Sequence, residues 1–126
     1  MKKIILDTNF LLIPYQFKVD IFSEIERIMP SGYQLCIIDK AIDELKKLAD
    51  GASKHSLAAR LALVFVNTHN IKIMKTKQDK DVDSLIVDNA DKDTIVATQD
   101  MELKKRLKEK GVILIVMRKK QYLELV

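Results

Sequence analysis

Short apolar runs alternate with amphipathic segments along this chain, and that alternation limits the fold more than any other feature of the sequence. Lys3 to Leu6 is a first strand-length run, and Tyr33 to Ile38, entered through the turn Pro30-Ser31-Gly32, is a second. Ile71 and Ile73 flank Lys72 in a weaker third, Thr94 to Thr98 forms a fourth, and Val112 to Met117 a fifth. Between the runs, apolar residues recur at helical spacing. Ile21, Phe22, Ile25, Ile28 and Met29 make one such stripe, and Ala41, Ile42, Leu45, Leu48 and Ala49 a second, which Asp39 can cap and Gly51 can end. Leu57, Leu61, Val64, Phe65 and Thr68 form the apolar face of a third helix begun at Ser53. Val82, Leu85, Ile86 and Ala90 belong to a short helix after the polar loop Lys75 to Lys80, and Leu103 with Leu107 to a basic one that Gly111 ends. Strands joined through helices need crossover connections. The expected fold is therefore a three-layer α/β/α sandwich around a mainly parallel five-stranded sheet.

No Gly- or Pro-rich linker and no repeat divides the 126 residues, so residues 1–126 are expected to form a single domain, with a basic tail at about 118–126. A chain of this size can bury roughly two-thirds of the surface it exposes when unfolded, without a stabilising metal or disulfide. Cys36 is the only cysteine, which excludes a disulfide framework, a cysteine zinc site and a CxxC redox motif. Asp7, Thr8 and Asn9 interrupt the apolar start too early for an export signal. The runs Leu61 to Val66 and Val112 to Met117 are far short of the ~20 residues that cross a bilayer. A soluble, cytoplasmic protein without membrane partners is expected.

The formal charge is +4, but its distribution says more than its size. Asp79, Asp81, Asp83, Asp88, Asp91, Asp93 and Asp100 form an acidic block. Lys104, Lys105, Arg106, Lys108, Lys110, Arg118, Lys119 and Lys120 follow as a basic one. An acidic cluster repels a polyanion unless cations sit on it, while an adjacent basic surface holds that polyanion in place.

In open α/β sheets ligands bind beyond the carboxyl ends of the strands. Asp7 follows the first strand there, and Asp100 lies two residues after Thr98 at the end of the fourth. Glu44, early in the helix after the second strand, and Asp83, opening the helix after the acidic loop, can point to the same edge. Four carboxylates so crowded repel one another and have raised pKa values until a divalent cation neutralises them. Mg²⁺ or Mn²⁺ suits these hard oxygen ligands, and phosphodiester hydrolysis suits such an ion.

The segments Ile4-Ile5-Leu6-Asp7-Thr8-Asn9-Phe10-Leu11-Leu12, Asp43-Glu44-Leu45, Val82-Asp83-Ser84-Leu85-Ile86 and Ile95-Val96-Ala97-Thr98-Gln99-Asp100-Met101-Glu102-Leu103 resemble, in order and spacing, those of the PIN-domain nucleases. The resemblance covers nearly the whole chain. It is strongest to the archaeal and eukaryotic ribosomal-RNA-processing branch, because Asp100 runs into a basic helix and the chain ends Met117-Arg118-Lys119-Lys120-Gln121-Tyr122-Leu123. It implies a metal-dependent endoribonuclease, with Asp7, Glu44, Asp83 and Asp100 on the four acidic positions as metal ligands and Asn9 and Thr98 as supporting polar residues. Asp79 and Asp81 stand close before the third position; Asp83 is preferred because Leu85 and Ile86 fix its helix against the sheet.

Lys104, Lys105, Arg106, Lys108, Arg118, Lys119, Lys120 and Tyr122 are the candidate RNA contacts, Tyr122 supplying a stacking ring. The substrate implied is ribosomal precursor RNA. A toxin ribonuclease restrained by an antitoxin, or an RNA-binding scaffold that does not cleave, are the alternatives. Leu123, Leu125 and Val126 suit pairing with a sheet edge or with another subunit, which leaves a homodimer open. His55 and His69 are too far apart to share a metal site, and Cys36 reads as a small buried hydrophobe. A phosphoacceptor receiver domain would need an Asp after the third strand, where Met74-Lys75-Thr76-Lys77 stands. Isolated Gly32, Gly51 and Gly111 cannot build a phosphate-cradling loop.

Overall fold

A computed structural model describes all of residues 1–126. Its strands are β1 (Lys2–Leu6), β2 (Tyr33–Ile38), β3 (Lys72–Met74), β4 (Thr94–Ala97), β5 (Ile113–Arg118) and β6 (Tyr122–Leu125). Its helices are α1 (Ile13–Phe17), α2 (Ile21–Ile28), α3 (Asp39–Ala49), α4 (Lys54–Thr68), α5 (Val82–Asn89) and α6 (Met101–Glu109), with a 3-10 turn over Thr8–Leu12. The strands form one sheet in the order β3-β2-β1-β4-β5-β6. Every pairing is parallel except β5 with β6. The crossover helices cover both faces, as their lengths require.

The central strands are apolar on both faces, as a doubly covered sheet demands. Ile4, Ile5, Leu6, Cys36, Ile37, Ile38, Val96 and Ala97 are all fully buried. They belong to a continuous core of 39 residues. Sequence order reverses on the two sides of β1, so the crevice at its carboxyl end is the topological switch point where such sheets bind ligands. No helix is long and apolar enough to cross a membrane.

Three features differ from expectation. The residues 118–126 are not a free tail. They complete a hairpin and add β6 as a sixth strand, so the apolar residues Leu123 and Leu125 serve a sheet edge. The outer border of β6 is closed by α2: the Leu123 N–H donates to the Glu24 carboxylate at 3.0 Å, and Arg27, itself paired with Glu24, donates to the Leu123 carbonyl at 2.9 Å. An i, i+3 ion pair on a helix thus satisfies both backbone groups of Leu123, which a further strand would have used.

The buried side of α4 is also not the expected one. Ser56, Ala58, Ala59, Ala62 and Val66 face inward, whereas Leu57 and Val64 are exposed. Small residues let α4 approach α3 closely, and the gain in packing over the whole helix outweighs burial of two larger side chains. Finally, Asp39 is not the cap of α3: Ile38 takes that place without a side-chain cap bond, and Asp39 is the first helical residue. Its carboxylate accepts from the Lys40 N–H at 2.9 Å, the Thr76 N–H at 2.9 Å and the Thr76 hydroxyl at 2.7 Å. This anchors the loop that leads from β3 into α5, and these bonds hold the Asp39 pKa below its ordinary value.

Candidate active site

Asp7 is placed by β1. Its N–H donates to the Ala97 carbonyl at 3.0 Å, continuing the β1–β4 pairing one residue past the strand, and its carboxylate then turns back to accept from the Thr8 N–H at 2.8 Å. The apolar run Phe10 to Ile13 is almost fully buried beyond it, which forces the chain into the tight 3-10 turn instead of letting β1 extend. Asp7 is only 6% exposed. Burial pushes its carboxyl up from 3.8 to about 6, with the charges of Asp83 and Asp100 adding to the rise and the bonds from Thr98 and Thr8 opposing it.

Thr98, fully buried at the end of β4, is the hub of the site. Its hydroxyl donates to the other Asp7 oxygen at 2.9 Å and accepts from the Asp100 N–H at 3.1 Å. Asp100 in turn caps α6, accepting from the Leu103 N–H at 2.8 Å. One threonine therefore fixes two acids in relation to each other. Glu44 lies in the second turn of α3 and is tethered by the Thr8 hydroxyl, which donates to it at 2.7 Å. Asp83 stands in the first turn of α5, whose cap is Asp81, accepting from the Ser84 N–H at 3.2 Å. The Asp83 pKa is raised, first by burial and then by the charges of Asp100 and Asp81, while Arg106 works in the opposite direction.

All four acids singled out by the sequence, with Asn9 beside them, line one open cavity of about 750 Å³. Thr8, Lys47, Leu48, Asp81 and Val82 complete it. Lys47 is the single basic residue in that lining. As the side chains stand, no three His, Cys, Asp or Glu groups form a cluster that could hold an ion. In this arrangement Glu44 accepts from Thr8 and Asp100 from the first turn of α6.

Two residues go beyond the sequence reading. Thr8 positions Glu44, and Lys47 brings a cation into the acidic lining. The signal for Lys47 is its spacing, three residues after Glu44 on one helix face. Thr8 carries no comparable signal, because its partner lies 36 residues away.

The candidate RNA contacts divide by location. Lys104, Lys105, Arg106 and Lys108 lie on α6, where Arg106 donates to the Ser84 hydroxyl at 3.2 Å and Lys108 to the Val126 carbonyl. Arg118 ends β5 and pairs with Glu124 at 2.5 Å. Lys119 and Lys120 form the following turn, exposed at the carboxyl edge. Tyr122 is half-buried on β6, paired opposite Arg118 of β5. His69 stacks on Phe22 with ring centres 3.7 Å apart, and Cys36 is buried and unpaired, so neither belongs to the site.

A family model described as "PIN like domain" matches residues 4–120. Ribonuclease VapC4 from Methanocaldococcus jannaschii is 33% identical over 128 residues, a span covering 99% of this chain and 97% of that protein. Among solved structures, the PIN domain endonuclease Utp24 superposes with a TM-score of 0.82 at 26% identity, over 98% of this chain and 90% of that one. VapBC-1 from nontypeable Haemophilus influenzae shares the fold alone, with a TM-score of 0.53 at 13% identity over 85% and 93% of the two chains.

Proposed function

This chain belongs to the PIN-domain family, and from that premise we propose that it is a metal-dependent endoribonuclease acting on single-stranded RNA. The observation that carries the proposal is the convergence of Asp7, Glu44, Asp83 and Asp100 on one cavity at the sheet's switch point. The donor set fits a hard divalent cation: it is all oxygen, it carries a buried carboxylate whose pKa is lifted to about 6, and its lining holds one counter-charge against five acids. Asp7, Glu44, Asp83 and Asp100 would hold Mg²⁺ or Mn²⁺. When bound, such an ion supplies Lewis-acid stabilisation of phosphate charge and lowers the pKa of water.

The rest of the chemistry belongs to the chain. Thr98 and the Thr8 N–H hold Asp7 in one orientation, so the most buried acid does not rotate during the reaction. Lys47 places positive charge where a scissile phosphate would bring negative charge. The lysines of α6 and of the β5–β6 turn attract the strand's remaining phosphates toward the carboxyl edge.

Processing of ribosomal precursor RNA is the favoured role. It is supported by the basic helix running directly from Asp100 and by the extensive likeness to the endonuclease Utp24. The likeness to Ribonuclease VapC4 supports a second reading, a toxin ribonuclease restrained by an antitoxin. A short reading frame directly beside this gene would favour that second reading. The nuclease itself is tested by incubating single-stranded RNA with the chain in Mn²⁺ or Mg²⁺, in EDTA, and with Asp83→Asn. Cleavage in metal, its loss in EDTA, and a fall of more than about 100-fold in the variant are expected. RNA left unchanged under every condition refutes cleavage and favours a non-cleaving scaffold.

A further inference from the structure

Four residues other than glycine have left-handed backbone: Lys18 at φ 58°, Asn70 at 51°, Lys119 at 54° and Lys120 at 52°. Asparagine tolerates that conformation, but lysine has no side-chain compensation for it. Two of the lysines are linked through Phe17, which precedes Lys18 in the chain and lies under the Lys120 ammonium. Lys18 closes α1, with its N–H donating to the Pro14 carbonyl at 3.1 Å and its ammonium 4.7 Å from the centre of the Tyr15 ring. Lys119 and Lys120 make the β5–β6 turn, in which the Gln121 N–H donates to the Arg118 carbonyl at 3.0 Å. The Lys120 ammonium reaches back over the ring of Phe17, 5.4 Å from its centre, and so joins the turn to the end of α1.

Glycine or asparagine would satisfy both turns with less strain. The turns therefore do not require these ammonium groups. The Lys120 ammonium lies over Phe17, an aromatic ring left 37% exposed beside the β5–β6 turn, while Lys18 follows that ring directly in the chain. That turn is rigidly tied to the acidic cavity. Gln99, directly before Asp100, clamps the end of β5: it accepts from the Met117 N–H at 2.7 Å and donates to the Met117 carbonyl at 3.3 Å.

We propose that Phe17, with Lys18, Lys119 and Lys120, is a subsite that stacks one unpaired nucleobase of single-stranded RNA and holds the phosphates beside it. The chemistry is that of single-strand recognition, an exposed ring with one cation over it and further lysines next to both in the chain. The Lys120 ammonium guards the ring loosely in the free protein and moves to a phosphate when a base takes its place. This subsite rests on the endoribonuclease reading, since it sets where a strand entering the cavity is gripped.

The test titrates a short fluorescent single-stranded RNA onto the full chain in EDTA, where no strand is cut. Phe17→Leu is expected to weaken binding roughly tenfold, and Phe17→Tyr to retain it. Lys18→Gly and Lys120→Gly are each expected to weaken binding and to flatten the log-log salt dependence by about 0.7. Neither should lower the melting temperature, because each removes backbone strain. Unchanged affinity in Phe17→Leu, or an equal loss of affinity for duplex RNA, overturns the stacking subsite. A lower melting temperature in both glycine variants overturns the strain argument, because the lysines would then serve the fold. If the unsubstituted chain cleaves RNA in Mn²⁺ while the ring substitution leaves affinity unchanged, the subsite alone fails. If it neither binds nor cleaves RNA, the nuclease reading fails with it.

Discussion

Replacing Asp7 by Asn should make the metal-free protein more stable at neutral pH while abolishing its response to metal. The Asp7 carboxyl ionises near 6 in the folded chain and near 3.8 when unfolded. Between those values the folded state binds the extra proton, so Asp7 lowers stability as pH rises through that window and holds it down above it. The gap corresponds to about 3 kcal/mol. Asn removes this penalty but also disturbs the bond donated by Thr98, a loss of about 1 kcal/mol, which leaves a net gain of about 2 kcal/mol. Urea denaturation of both proteins in EDTA from pH 4 to 8 measures it. The difference between variant and parent is expected to be near its maximum above pH 6.5 or so, to vanish at about pH 4.5 and to reverse slightly by pH 4, where the disturbed Thr98 bond outweighs the remaining charge penalty. Taking the difference isolates Asp7 from acids such as Asp20 and Asp39, whose lowered pKa values act in the opposite sense. Millimolar Mn²⁺ should raise the parent's melting temperature and leave the variant's unchanged. A variant that is less stable than the parent at pH 7.5, by an amount independent of pH, would refute the claim that Asp7 is a buried charge awaiting a cation.

Two further outcomes probe the scaffold. Glu24→Ala should speed hydrogen exchange at the Leu123 amide, whose acceptor it removes, with little change at the β1 amides; NMR exchange rates that leave Leu123 protected would show that α2 does not close the β6 border. Ala62→Leu should cost about 1–3 kcal/mol in urea denaturation through overpacking against the core, whereas Val64→Lys should change stability by under about 0.5 kcal/mol.

The elements most visible in the sequence are those whose boundaries are written locally. β2 spans Tyr33–Ile38 as expected, because a glycine turn precedes it and the helical pattern begins at Asp39. The four acids could be assigned to one edge because parallel crossovers return every strand in the same direction, so the end of each apolar run marks that edge. What binds the site together was not visible. Thr98 meets Asp7 across 91 residues and Thr8 meets Glu44 across 36, and no periodicity encodes such pairs. Periodicity also misled in α4, where apolar residues lie on two sides and size decides: the alanines turn inward because they permit a close helix contact. The residues 118–126 lacked the glycine or asparagine that announces a hairpin, their turn being made by two lysines in left-handed conformation.

Sealing β6 with a helical ion pair leaves the sheet with unequal borders, since the other is formed by β3. Strand addition at β6 is thus opposed at Leu123, where a helix side-chain pair already occupies the backbone N–H and carbonyl.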